Sequence, residues 1–98
     1  MARLGFFQRR QMGFTLRAVI SSARKLSREQ SLPSLTGLEG QDLEAAKASM
    51  AETIAADIME QNKEEWAKAC GDDPTTFIED LIAFIMQILP FILAIFGL

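Results

Sequence analysis

Hydrophobic and polar positions divide this 98-residue chain into three patterns. Residues 10–28 (RQMGFTLRAVISSARKLSR) carry apolar residues at helical spacing: Met12, Leu16, Val19, Ala23 and Leu26 fall on one side. Arg3, Arg10, Arg17 and Arg24 recur every seven residues, and Arg28 follows four later. At 3.6 residues per turn these arginines align as a stripe on the opposite side. The spacing predicts a basic amphipathic helix from Met12 onward, with Gly5 and Gly13 weakening helix before and around its start.

Residues 42–70 form a second pattern, with a thin stripe of Leu43, Ala46, Met50, Ile54 and Ile58. Alanine, glutamate, lysine and methionine dominate there and favour helix. Asp42 is the expected N-cap and Gly71 the expected stop. Because the stripe contains alanine, it predicts close approach by a partner helix. The stretch between the two helices, residues 30–41 (QSLPSLTGLEGQ), is broken by Pro33, Gly37 and Gly40 and reads as a connector. Its leucines, Leu32, Leu35 and Leu38, predict that it packs rather than waves free.

The third pattern is continuous. Residues 81–98 (LIAFIMQILPFILAIFGL) contain no charge and one side-chain amide, Gln87. As a helix they are about 27 Å long at roughly 1.5 Å per residue, against a hydrocarbon core of about 30 Å. Asp73 as N-cap followed by Pro74 is a well-matched helix start. A helix apolar on every face is expected to sit in lipid or among other protein chains. Pro90 predicts a kink, and Gln87 a hydrogen bond either to a neighbouring helix or to the region of its own helix that Pro90 frees. Phe84 and Phe91 join them as expected helix–helix or membrane contacts.

These patterns predict an all-α chain of three helices, extended rather than compact. The expected blocks are a basic segment (1–29), a connector (30–41), an acidic soluble helix (42–71) and a hydrophobic helix (73–98). Charge follows the same blocks. Residues 1–28 hold seven cationic side chains and no acid, whereas residues 29–80 hold three lysines and thirteen acids. The basic block is expected to meet an anionic surface through Arg3, Arg10, Arg17, Arg24 and Arg28: lipid headgroups or, non-specifically, nucleic-acid phosphates. Phe6, Phe7 and Phe14 incline the choice towards lipid or protein. The alternative is that its cations pair with acids of the middle helix. An Arg-rich, acid-free start also has the composition of a mitochondrial transit peptide.

Catalytic chemistry finds little support. The chain has one cysteine, Cys70, and no histidine. It therefore lacks a disulfide framework, a zinc ligand set and a base to activate Cys70. Asp72, Asp73, Glu79 and Asp80 lack calcium-loop spacing, and their place at a helix start already accounts for them. Trp66, alone in a charged stretch, is expected to dock against a partner or a membrane interface. No cofactor is expected.

The functional expectation is a non-enzymatic structural component of a large assembly, with membrane lipid and protein subunits, among them its own copies, as partners. Its C-terminal helix would act as a tail anchor, with the N-terminal bulk on the cytoplasmic or interior side. A minor membrane protein of a virion such as a phage capsid fits this outline. A single-span accessory subunit of a membrane enzyme complex and a small pore-forming, holin-like effector fit it as alternatives.

Overall fold

Gly13 cuts the N-terminal arginine stripe in two. In the computed structural model, which describes residues 6–32, 35–71, 73 and 75–96, a short helix α1 (Phe6–Gln11) ends there and α2 (Leu16–Arg28) begins anew. Gly13 has φ +90, and its N–H donates to the Arg10 carbonyl while that of Phe14 donates to Arg9. This paired closure is the usual way a glycine ends a helix. The bend also brings the backbone against α3, where a Cβ on Gly13 would collide with Cγ2 of Ile58. The Thr15 hydroxyl then caps α2, accepting from the Ala18 N–H at 3.1 Å. The basic helix expected from Met12 onward therefore begins only at Leu16, and Arg10, on α1, does not share a helix with Arg17, Arg24 and Arg28. Arg3 lies outside the described residues.

The middle helix is also divided. α3 (Gly40–Gln61) and α4 (Lys63–Cys70) meet at Asn62, whose backbone leaves the helical region. Both the backbone and the side-chain N–H of Asn62 donate to the Ile58 carbonyl. Asparagine competes in this way with regular helix. The start differs from expectation as well: Glu39 occupies the N-cap and Asp42 lies within the first turn, where its charge still suits the helix dipole. Gly71 ends α4 as expected, with φ +62 and its N–H on the Ala67 carbonyl.

α5 (Thr75–Phe96) runs through Pro90 as one helix. Its start is held by Asp73, whose carboxylate accepts from both the backbone N–H and the hydroxyl of Thr75. Those bonds hold the Asp73 carboxyl below its ordinary value. Pro74, Gly97 and Leu98 lie outside the described residues.

The expectations of three helices and an extended shape are corrected. Among the described residues there are five helical segments and no strand, with α3 and α4 separated by one residue so that the path is four rods. The molecule measures 41 × 25 × 20 Å with a radius of gyration of 13.6 Å, close to the roughly 13 Å of a compact domain this size and far below the roughly 30 Å of an unfolded chain. α5 itself closes the core: Phe77, Leu81, Ile85, Leu89 and Ile92 are buried at helical spacing. They pack on the α3 stripe of Met50, Ile54 and Ile58, where Ala51 and Ala55 are also fully buried and admit close approach. The helix expected to sit in lipid or among other chains thus packs against its own chain and supplies the partner that α3 required. α2 adds Val19, Ala23 and Leu26, and the connector adds Leu35.

Candidate functional site

Two internal junctions fix the positions of the outer surfaces. The first is aromatic. Trp66 on α4 is only 3 % exposed, and its indole N–H donates to the Met12 carbonyl at 2.9 Å. Phe14 stacks on it with ring centroids 5.9 Å apart, and Phe84 of α5 stacks on Phe14 at 6.4 Å. The Arg9 guanidinium lies 6.0 Å from the Phe14 centroid, within cation–π range. Trp66 and Phe84, singled out as partner and membrane contacts, are placed here in contact with the chain's own residues. What sequence reasoning missed was the receiving carbonyl, which is created only when Gly13 turns the chain.

The second junction is polar. Asp57 on α3 accepts from the Ser22 hydroxyl at 2.7 Å, the Lys25 ammonium at 2.6 Å and the Gln61 amide at 2.6 Å. Ser22 is completely buried, so this carboxylate satisfies a donor that water cannot reach. The hydrogen bond and charge of Asp57 raise the Lys25 pKa above its ordinary value. One cation of the basic block thus pairs with the middle helix.

The other three cations on α2 do not. Arg17, Arg24 and Arg28 are exposed and form no ion pair with any described residue. At about 100° per residue they lie within an arc of about 40°, opposite Val19, Ser22, Ala23 and Leu26, which are buried. A shallow open depression runs over them, edged by Leu16 and Ile20. Arg10 is exposed on α1, separated from this group by the Gly13 bend.

On α5 the face turned from the core remains apolar. Ala83, Pro90, Phe91, Ala94 and Ile95 are exposed, with Phe91 at 64 % and Ile95 at 53 %. Gln87 is exposed among them. The acids Glu79 and Asp80 are confined to the beginning of the helix. Phe77–Ile95 is the one segment among the described residues long and apolar enough to cross a membrane, with mean hydropathy 2.1. The buried core helix of a soluble protein meets the same criterion, and α5 is part of such a core on one side only.

Among the described residues no group of histidine, cysteine, aspartate and glutamate is arranged to hold a metal. Cys70 is half-buried, and burial followed by the Asp73 carboxylate pushes its thiol pKa up, which lowers its thiolate fraction at neutral pH. The outer sides of α2 and α5, one basic and one apolar, make up the candidate site. No family model, curated protein or solved structure matches this chain.

Proposed function

We propose that this chain is a non-enzymatic, membrane-associated structural component that acts through its surfaces. The observation that carries this reading is the outer face of α5. A helix covering a soluble core needs one apolar side and ordinarily turns a polar side to water. α5 turns Pro90, Phe91, Ala94 and Ile95 outward instead. A bilayer interface covers such a face at a depth of about 5–10 Å.

The packing also restricts how α5 meets lipid. Its inner face is held by α3, which carries Glu44, Lys47, Glu52, Asp57 and Glu60. Crossing the bilayer with the bundle intact would draw those charges towards hydrocarbon, at about 3 kcal/mol or more for each charged residue near the centre. In its folded form the chain lies sideways on the membrane, and a full span requires α5 to leave α3.

The test is flotation of the full-length chain with vesicles of phosphatidylcholine. The expected result is co-flotation, abolished in the double variant Phe91→Asp/Ile95→Asp while its helical circular dichroism and thermal midpoint are retained. A wild-type chain that remains a soluble monomer and ignores the vesicles overturns the reading. A second reading, burial of the same face against another copy, is favoured by exposed Gln87, whose amide suits a reciprocal bond across two helices. Sedimentation velocity distinguishes it: dimerisation without lipid, weakened by Gln87→Leu, replaces the first reading.

A further inference from the structure

The outer face of α2 remains unexplained by an apolar anchor alone. Thirteen acids are distributed over the chain, which has net charge −3, yet none of the described ones reaches Arg17, Arg24 or Arg28. The fold diverts only Lys25, through Asp57, and leaves these three guanidinium groups in solvent. We infer that Arg17, Arg24 and Arg28 form a docking surface for the anionic headgroups of the same bilayer that receives α5. This inference rests on the membrane reading of α5 and adds the class of lipid.

Two further observations favour lipid as the occupant. α2 and α5 both pack on α3 and touch each other, and the large hydrophobic residues exposed among the described residues, Leu16, Phe91 and Ile95, belong to these two helices. The cationic face and the apolar one thus belong to two helices in contact. Leu16 and Ile20 border the arginines directly. That mixture suits the boundary between headgroups and acyl chains, where arginine stems lie along apolar groups and the planar guanidinium binds phosphate in a fork. A nucleic acid would leave Leu16 against phosphate, and three cations along about 16 Å of helix neutralise few of its charges.

The experiment measures partition of the full-length chain between water and two vesicle types, phosphatidylcholine alone and phosphatidylcholine mixed with phosphatidylserine. Three arginines near an anionic surface predict tighter binding to the mixed vesicles, on the order of a hundredfold, reversed by salt. Arg17→Gln/Arg24→Gln/Arg28→Gln should lose that gain and keep the affinity for neutral vesicles. The charge-matched variant Lys47→Gln/Lys63→Gln/Lys68→Gln should keep most of the gain, separating a local surface from net charge. Equal wild-type binding to both vesicle types, or an undiminished gain in the arginine variant, overturns the α2 surface and leaves the α5 reading standing. Binding to neither overturns the α5 reading itself. Tight binding to duplex nucleic acid that displaces the chain from anionic vesicles assigns the surface to nucleic acid and overturns it for lipid.

Discussion

α2 and α5 make an instructive pair. Both lie on α3 and both turn a regular apolar row into the core, Val19–Ala23–Leu26 in one and Leu81–Ile85–Leu89–Ile92 in the other. They differ on the side facing away. α2 presents Arg17, Arg24 and Arg28, whereas α5 presents Ala83, Phe91, Ala94 and Ile95. For α2 the polar side is what solvent demands, and the fold accounts for nearly all of the sequence pattern. For α5 the fold accounts for only half of the apolar surface. The unexplained half separates a core helix from a helix with an external partner, and amino-acid composition alone does not reveal which half it is.

The largest expected effect tests whether α5 belongs to the core at all. Ile85 is fully buried against the rest of the bundle, so Ile85→Ala should destabilise the chain by about 3 kcal/mol in urea denaturation. Unchanged stability would break the comparison, because α5 would then project as a free tail with two equivalent faces.

The next effect concerns the tie between α2 and α3. Asp57→Ala leaves the buried Ser22 hydroxyl without its acceptor and should cost about 2 kcal/mol. A pH signature accompanies it. The folded-state pKa of Lys25 is raised from 10.5, so the ion pair contributes fully below the unfolded value and is lost as pH rises through the folded one. The thermal midpoint should therefore fall with a component above about pH 10.5 that Lys25→Met removes. Smaller again is Thr15→Ala, which deletes the α2 cap and should cost about 1 kcal/mol by the same denaturation assay. If Thr15→Ala is neutral, α2 does not begin where the bend at Gly13 places it.

The contrast between α2 and α5 also marks what the sequence made legible. The inward rows of α2 and α3 were readable because polar residues interrupt them at helical spacing: Val19, Ala23, Leu26, Met50, Ile54 and Ile58 are buried, as is Met12 in the turn before α2. Of the same expected rows Leu43 and Ala46 are half-buried, and Leu16 faces solvent at 46 %. α5 has almost no polar residue beyond Asp80 to mark a side, so its inward row is visible only once α3 lies against it. The heptad of arginines suggested one continuous helix, but periodicity is blind to a backbone turn, and Gly13 is required at φ +90 by its contact with Ile58. The break at Asn62 carries a similarly local signal, an asparagine amid strong helix formers. The site of Trp66 depends on a carbonyl 54 positions away in sequence and therefore had no local signature.

The smallest expected effect on stability gives the sharpest contrast within α5. Phe91 is 64 % exposed, so Phe91→Ala should change unfolding free energy by less than about 0.5 kcal/mol. The same substitution removes a large aromatic surface from the face proposed to enter the bilayer interface, and its partition into phosphatidylcholine vesicles should fall measurably. Ile85→Ala and Phe91→Ala lie on opposite sides of one helix and should behave in opposite ways: the first lowers stability, and the second lowers lipid affinity with the bundle intact. A stability loss at Phe91 comparable to that at Ile85 in a lipid-free sample would mean that another protein surface already covers the outer face. Concentration dependence of that loss would then identify the cover as a second copy of the chain, since the stability of an associated form rises with protomer concentration.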